Sequence, residues 1–266
     1  MLRYALTVLV TSIAVSGHAA DRPIERFVPQ GQTAAAAIDH APFDALLQRH
    51  VVPDGEGLNR VDYEGLGKER AALDAYLAAM EAAAPSRMGA DAAHAYWINL
   101  YNAKTLDVVL DAYPVDSIRR INLGGGLFAI GPWKKDVLTV EGEALSLDDV
   151  EHRIVRAIFK DPMSHYGLNC ASYSCPNLMT RAYTAENLHA LLEASARDYV
   201  NHPRGVRVAN GRIRASRIYR WYADDFGGED ELKAHWARFL LPDKAAAVEG
   251  AAIAGYDYDW RLNDVE

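Results

Sequence analysis

Basic charge and long apolar runs are both scarce in this chain of 266 residues. Lys and Arg number 28 against 36 Asp and Glu, which leaves a formal net charge of −8. That balance argues against nucleic acid or an anionic membrane surface as the main partner, because both require a basic footprint. Beyond the N-terminal leader no segment approaches about 18 consecutive apolar residues, so we expect no membrane insertion of the mature protein.

Motifs for common nucleotide and redox sites are also missing. The two cysteines are five residues apart, which is not the CxxC spacing of a dithiol redox site. The glycine-rich run GGGLF at 124–128 lacks the Gly-Lys-Ser/Thr ending of a phosphate loop, so we interpret it as a flexible loop. No internal repeat or low-complexity linker divides the chain, which favours one compact domain.

The first 20 residues have the organisation of an export signal. Arg3 precedes an increasingly apolar run, and small residues end it near Ala19 and Ala20. We therefore predict a signal peptide at 1–20, a periplasmic or secreted location, and a single globular domain at 21–266. Export places the two thiols in an oxidising compartment.

Apolar spacing predicts a mixture of helices and short hairpins. Helices are expected at 43–51, 68–83, 91–113, 147–159 and 184–200. The helix at 147–159 begins at a capping box, with Ser146 as N-cap and Asp149 three residues later. Two segments predict hairpins, DVLTVEGEAL and VRVANGRIRAS, the second with Asn210-Gly211 at its turn. The pattern is typical of an α+β fold with helices packed on a small antiparallel sheet.

Two asparagines interrupt the apolar helix at 91–113. Asn99 and Asn102 are three residues apart, so both amides lie on one face of the helix. Asparagine is a poor helix-interior residue because its amide competes for backbone hydrogen bonds. The pair either ties the helix to a neighbouring loop or forms a polar wall of a substrate-binding site.

One acidic side chain of the helix at 147–159 is expected to point toward the core. At about 100° per residue, Glu151 falls inside the apolar arc and His152 lies at its edge. An inward carboxylate must be paired or have a raised pKa. Glu151 is therefore either the partner of a buried arginine or part of a catalytic site, and the same two interpretations apply to His152.

The stretch HYGLNCASYSCP, residues 165 to 176, contains both cysteines. SHYGL has the composition of a strand, and the residues after it predict a tight bend that enters a short helix. A cysteine at a helix start has its thiolate stabilised by the helix dipole, as a thiol nucleophile requires. In one strand His165 and Cys170 point to opposite faces, so His152 is the better candidate for the base and His165 is the alternative.

Other roles for the cysteines stay open at this point. A Cys170–Cys175 disulfide would close a short loop and add about 2 kcal/mol of stability. A zinc site built from His152, His165 and both cysteines has suitable ligand types but irregular spacing, so no metal is predicted.

Eight segments together resemble the family known as domain of unknown function 547. The resemblance runs from about residue 43 to residue 263, with the family core at about 95–200. It is carried by VDYEGL, YWINLYNA, YPVDSIRRI, LSLDDVEHRIVR, DPMSHYGLNCASYSCPNL, AYTAENL, IYRWYADDF and YDYDWRLN.

This resemblance implies that Cys170 is the centre of a site. Members of the family occur as exported bacterial proteins and within larger plant proteins, where a serine or another polar residue often replaces the counterpart of Cys175. Cys175 in this chain could lock Cys170 into an inactive disulfide. The set of Cys, His and polar residues is loosely similar to papain-like and transglutaminase-like proteins. No cofactor is implied.

Two functional hypotheses follow. In the first, the protein is a cysteine-dependent hydrolase or acyl transferase that acts on an amide or thioester. Cys170 is its nucleophile, His152 is the base, Glu151 or an asparagine of the 91–113 helix orients the imidazole, and the Cys170 N–H with the Asn169 side chain holds the oxyanion. In the second, a disulfide-stapled, non-catalytic domain presents an aromatic groove to an unknown peptide or envelope component.

Overall fold

The structure is a computed structural model that describes residues 23–31, 38–124 and 130–265. The expected signal peptide at 1–20 lies outside the described residues, as do residues 125–128 of the glycine-rich run.

The N-terminal half is mainly helical, as its apolar spacing predicts. It contains α1 (Ala41–His50), α2 (Tyr63–Lys68), α3 (Arg70–Glu81) and α4 (Ala90–Ala112). Every residue of α4 from Ala93 to Ala103 is buried, because this helix is apolar around its whole circumference. It is therefore the central helix of the larger of two apolar cores.

Three small sheets carry the strands. β1 (Val51–Pro53) pairs with β2 (Asn59–Val61), and β3 (Asp136–Val140) pairs with β4 (Glu143–Ser146), both antiparallel. The predicted second hairpin is confirmed as β5 (Val206–Ala209) and β6 (Arg212–Ser216). Its turn residues have φ angles of 51° at Asn210 and 68° at Gly211, as a type I′ turn requires. One pairing differs from expectation, because β7 (Ala252–Asp257) is parallel to β6.

The predicted capped helix is present but is wider than an α-helix. It is a π-helix over Asp149–Phe159, whose turns are closed by i to i+5 hydrogen bonds. The capping box is confirmed, because the Asp149 N–H donates to Ser146 Oγ at 3.1 Å and the Ser146 N–H donates to Asp149 Oδ2 at 3.1 Å. π-helices are rare, and their usual form, a single-turn bulge within an α-helix, is frequently found at functional sites.

The segment that follows is not the strand that its composition suggested. Pro162–Tyr166 is a 3₁₀ helix, because the Asp161 side chain accepts the Met163 N–H at 2.9 Å and proline takes the first helical position. Residues 167–176, which we name the thiol loop, are irregular and contain no helix after Cys170. The next regular element is α5 (Leu188–Asn201).

The C-terminal third forms the second core and then returns to the thiol loop. Its helices are α6 (Ile218–Trp221), α7 (Ala223–Phe226), α8 (Glu229–Ala237) and α9 (Pro242–Glu249). After β7 the final residues run beside the thiol loop, where the Tyr173 N–H donates to the Arg261 carbonyl at 2.8 Å and the Asn263 N–H donates to the Ala171 carbonyl at 3.2 Å. Among the described helices, none has both the length and the apolar character to cross a membrane.

Candidate active site

A cavity of about 240 Å³ lies where the π-helix, the thiol loop and the C-terminal segment meet. All four residues predicted to be catalytic line it, namely Cys170, His152, His165 and Glu151. The rest of the lining is mainly aromatic and consists of Tyr101, Trp133, Trp221, Tyr222, Tyr258 and Trp260, with Asp148, Leu168, Cys175 and Ile218. The fold therefore gathers a thiol, two imidazoles and carboxylates on one concave surface, as ligand sites usually do.

A larger hollow of about 580 Å³ lies between the N-termini of α1 and α4, away from these groups. Its lining has no thiol, and its imidazole, His40, is already bonded to the Tyr76 hydroxyl at 2.7 Å. Its carboxylates are Asp39, Asp44, Asp91 and Glu186. Because that hollow lacks a nucleophile, we assign the candidate chemistry to the smaller cavity.

The Cys170 thiol is half-buried and faces hydroxyl groups. Its Sγ lies 3.2 Å from Ser172 Oγ and 3.2 Å from the Tyr258 hydroxyl. A hydrogen bond with the Cys175 side chain and these two hydroxyls lower the pKa of Cys170, against the burial and the Glu151 charge that raise it. The expected helix dipole plays no part, because no helix begins at Cys170.

The backbone next to Cys170 is held in an uncommon conformation. Ala171 has φ of 59°, in the left-handed region that residues other than glycine seldom adopt. Asn169 supports it, since its Oδ1 accepts the Ala171 N–H at 2.9 Å. Such backbone strain clusters at functional sites, and here it lies at the residue after Cys170.

Cys175 does not form a disulfide with Cys170, which was one of the roles that the sequence left open. Both thiols are free and are not at disulfide distance, because Cys175 Sγ accepts the Cys170 backbone N–H at 2.9 Å. Cys175 is buried, and this burial raises its pKa well above the usual value. The loop therefore presents one accessible thiol of lowered pKa and one buried thiol of raised pKa. In the described residues no group of three or more His, Cys, Asp or Glu side chains is arranged to hold a metal ion.

His165 is paired with Asp225, a residue that the sequence analysis missed. Its Nε2 lies 2.7 Å from Asp225 Oδ2, and its ring stacks on Tyr222 with centroids 4.2 Å apart. A carboxylate only accepts hydrogen bonds, so the network assigns the proton to Nε2 and leaves Nδ1 of the neutral ring as a base. Burial alone would raise the pKa of Asp225, but the hydrogen bonds from His165 and Arg156 lower it well below its usual range.

His152 has the same tautomer as His165, but its Nδ1 is already occupied by a donor. Arg156 donates from Nη1 to His152 Nδ1 at 3.2 Å, and arginine cannot accept a hydrogen bond. The proton of neutral His152 therefore lies on Nε2, which is 3.9 Å from Asp148 Oδ1. The Sγ of Cys170 is hydrogen-bonded to neither imidazole in this structure. This arrangement favours the alternative base, His165, and makes His152 a donor.

Glu151 points into the cavity but has a different partner from the expected arginine. It accepts hydrogen bonds from the Tyr101 hydroxyl at 3.1 Å and from the Tyr222 hydroxyl at 2.5 Å. Burial and the Glu151 charge raise the pKa of both tyrosines well above their usual value. Glu151 is not hydrogen-bonded to either histidine, so the predicted role of orienting the imidazole passes to Asp225.

The family comparison adds to this geometry. Residues 85–200 match the family model described as "Protein of unknown function, DUF547". Over this segment the chain is similar to the DUF547 family. The matched segment includes α4, the π-helix and the thiol loop, so it supplies the thiol and both imidazoles. No curated protein and no solved structure matches the chain, and the papain-like or transglutaminase-like architecture stays a prediction.

Three asparagines of the DUF547 segment, predicted to bind substrate, are buried outside the cavity. Asn99 exchanges two hydrogen bonds with the Tyr183 backbone, as the loop-tying alternative requires. Asn102 donates to the Gly167 carbonyl at 2.8 Å and accepts the Asn169 N–H at 2.8 Å.

The predicted oxyanion site is also occupied by internal contacts. The Asn169 side chain donates to the Pro176 carbonyl at 2.7 Å, and the Cys170 N–H donates to Cys175 Sγ. Both predicted oxyanion donors are therefore already used.

The C-terminal third completes the DUF547 site. Asp225, Tyr258 and the indoles of Trp221 and Trp260 reach the cavity or its hydrogen-bond network from outside the matched segment. The third indole, Trp133, lies within it. The available signal was the pair of segments IYRWYADDF and YDYDWRLN, which contain Trp221, Asp225, Tyr258 and Trp260.

Proposed function

We propose that this cavity is the active site of a cysteine-dependent hydrolase or acyl transferase acting on an amide or thioester. The observation that carries the proposal is the accessible Cys170 thiol of lowered pKa in one cavity with a His–Asp pair. A nucleophile, a base and a group that orients the base are the parts that thiol acyl-transfer chemistry needs.

The reaction begins when Cys170 gives its proton to Nδ1 of His165 and its sulfur attacks the carbonyl carbon. Because the thiol is bonded to Ser172 and Tyr258 in this structure, it must first rotate toward the imidazole. A C–S bond forms, and the electron pair of the carbonyl moves to its oxygen. Asp225 stabilises the resulting imidazolium by charge.

The oxyanion needs donors other than those predicted from the sequence. The His152 Nε2–H and the Tyr258 hydroxyl are donors that line the cavity, and both are side chains that move with less cost than a backbone N–H. When the intermediate collapses, the amine or thiol leaves with the proton of His165 and a thioester on Cys170 remains. Water or a second nucleophile then releases the acyl group, again with His165 as base.

The lining indicates the kind of substrate. Three indoles line the cavity, with ring centroids 5.6 Å apart for Trp221 and Trp260 and 5.7 Å apart for Trp133 and Trp260. Asp148 and Glu151 place carboxyl groups on the same wall. The cavity therefore suits an apolar or cationic group beside the scissile bond, such as a peptide or an amine-bearing envelope component. The leader-like segment at 1–20 supports a periplasmic or secreted location.

The test is capture of the acyl-enzyme. Purified protein is incubated with aryl esters and peptide thioesters, and the adduct is located by intact-mass and peptide mass spectrometry. We expect one acyl group on Cys170, and none in Cys170→Ala at an unchanged unfolding temperature. Acylation that persists in Cys170→Ala would sink the proposal.

The aromatic lining also supports the alternative, a non-catalytic site for a peptide or envelope component. Trp221 is 44% exposed, which is unusual for so large an apolar side chain and is typical of a contact surface. Saturable binding that quenches indole fluorescence equally in wild type and Cys170→Ala, without any acyl adduct, would favour this alternative.

A further inference from the structure

Another hollow, of about 430 Å³, is lined in part by Tyr173 and Ser174 of the thiol loop. Its lining includes Arg204, Arg207, Arg214 and Arg217, and we name it the arginine groove. The Tyr258 side chain lines both this groove and the thiol cavity. Four guanidinium groups in one hollow are notable in a chain whose formal net charge is −8.

The carboxylates of the arginine groove are already paired. Asp257 accepts hydrogen bonds from both Nε and Nη2 of Arg214. Asp259 accepts from Arg261, with Nη2 and Oδ2 2.7 Å apart. Each carboxylate therefore already neutralises the charge of one arginine, and neither is free to bind another cation.

Arg207 and Arg217 are the excess cations. Both are exposed, and among the described contacts neither is hydrogen-bonded to a carboxylate. The hydrogen bonds from Arg214 lower the pKa of Asp257, and the charges of Arg207 and Arg217 act in the same direction, which shows that both lie close to that carboxylate.

The strand register makes this clustering costly for folding. Arg207 on β5 lies directly opposite Arg214 on β6, and like charges opposite each other destabilise a sheet. Val206 and Ile213 point to the core on the other face, so the fold requires only that positions 207 and 214 be compatible with solvent. Packing does not explain why both are arginine.

Arg204 adds a buried positive charge at the base of the groove. Only 8% of it is exposed, and its pKa is lowered by burial. Its hydrogen bonds are to neutral groups, the carbonyls of Cys175 and Gly57 and Oδ1 of Asn177. Buried charges are normally paired, and no carboxylate in the described residues is hydrogen-bonded to this guanidinium.

We propose that the arginine groove binds an anionic group, a carboxylate or phosphate of a small ligand, through Arg207 and Arg217. A guanidinium presents two parallel N–H donors that match the oxygens of either group. An anion held there offsets the repulsion between Arg207 and Arg214 and adds negative charge near Arg204, which is hydrogen-bonded only to neutral groups. The groove is separate from the thiol cavity, so this inference stands whether or not Cys170 is catalytic.

The experiment is calorimetric titration of the whole protein with inorganic pyrophosphate and with citrate, at constant ionic strength. We expect saturable binding of at least one of them with one site per chain. Arg207→Gln and Arg217→Gln should each weaken it about tenfold, the effect of losing one charge-assisted hydrogen bond. Binding of pyrophosphate alone identifies a phosphate site, and binding of citrate alone identifies a carboxylate site.

Arg212→Gln is the matched control. Arg212 is exposed on β6, two residues before Arg214, and carries the same charge, but it lies outside the lining of the groove. It should leave the affinity unchanged. Absence of saturable binding of both probes would overturn the proposal, and so would equal weakening by Arg212→Gln, which would indicate a general charge effect. Thermal unfolding verifies that the three variants are folded.

Discussion

Nε2 of His165 lies 2.7 Å from Oδ2 of Asp225, although 60 residues separate the two along the chain. The same carboxylate accepts from Nε and Nη2 of Arg156 at 2.6 and 3.0 Å, so the ring is held by a fixed partner. Because Arg156 also donates to His152, one arginine sets the position of the acid and the tautomer of the second imidazole. The two histidines of the cavity thereby have different partners, a carboxylate for His165 and a guanidinium for His152.

Asp225→Asn should abolish most of the proposed activity without unfolding the protein. An asparagine can present its amide to His165 and favour the wrong tautomer, and it cannot stabilise an imidazolium. We expect kcat for a thioester that acylates Cys170 to fall by about 100-fold to 10,000-fold, with little change in KM. Stopped-flow acylation and steady-state turnover measure the effect.

Asp224→Asn is the control for that experiment, because Asp224 is the neighbouring residue and is exposed. It should retain wild-type kinetics. If both variants keep full activity, His165 is not oriented by Asp225 during turnover and the assignment of the base is wrong.

Cys175→Ala should make Cys170 less reactive. The hydrogen bond with the Cys175 side chain is the largest cause of the lowered Cys170 pKa, so its loss should move the pH profile of iodoacetamide alkylation to higher pH. Ser172→Ala removes a weaker partner and should move the profile in the same direction by less. Site-resolved mass spectrometry follows Cys170 in each variant.

Cys175→Ala should also make the protein less stable. Cys175→Ala leaves the Cys170 N–H without its acceptor, which should cost about 1–3 kcal/mol of unfolding free energy. Cys175→Ser restores a polar acceptor and should recover part of both losses. If the pH profile of Cys170 alkylation were unchanged in Cys175→Ala, or moved to lower pH, the buried thiol would not be lowering the Cys170 pKa.

Gly211→Ala should destabilise the protein by about 1 kcal/mol or more through the backbone alone. Gly211 has φ of 68°, and a Cβ added there would meet nothing within 4 Å. Gly250→Ala is the matched control, since it also has open space but φ of −95°, and it should be neutral or slightly stabilising. Urea unfolding compares the two, and equal effects would contradict the type I′ turn.

The features that were predictable from the sequence are those set by neighbouring residues. Asn210-Gly211 determines a hairpin turn, and Ser146 with Asp149 determines a helix start, because each pair meets within a few positions. The wrong prediction of a strand at SHYGL also concerned neighbouring residues. Asp161 and Pro162, which start the 3₁₀ helix, are visible in the sequence, but the prediction gave more weight to the strand-like composition that follows them. Inward placement of Glu151 followed from helical spacing alone.

The partners of the site residues were not predictable, because they come from distant parts of the chain. Nothing near position 165 indicates that Asp225 will be its partner, and the Tyr258 hydroxyl reaches Cys170 from 88 residues away. Glu151 was expected to pair with an arginine, yet two tyrosines surround it, since an inward acid only requires some donor. Residue type therefore identified the titratable groups that line the cavity, and the fold determined how they are paired.

Glu151→Gln should make Cys170 more acidic. The Glu151 charge opposes the Cys175 hydrogen bond and raises the Cys170 pKa, so its removal should move the alkylation profile to lower pH, the reverse of Cys175→Ala. Asp148→Asn removes a carboxyl group from the same cavity and should move the profile less. A shift to higher pH in Glu151→Gln would mean that this carboxylate does not act on the thiol by charge.

Glu151 should also make the cavity selective for cationic reagents. A carboxylate beside the thiol attracts a positive group near the reacting sulfur and repels a negative one, in a site where the local dielectric is lower than that of water. Wild type should therefore react faster with a cationic methanethiosulfonate than with an anionic one of similar size, and Glu151→Gln should reduce that ratio by about tenfold. Rates are compared at a pH where Cys170 is fully ionised in both proteins, so that the pKa change does not contribute. A ratio that is equal in both would remove the argument for a cationic substrate group, while leaving the assignment of Cys170 intact.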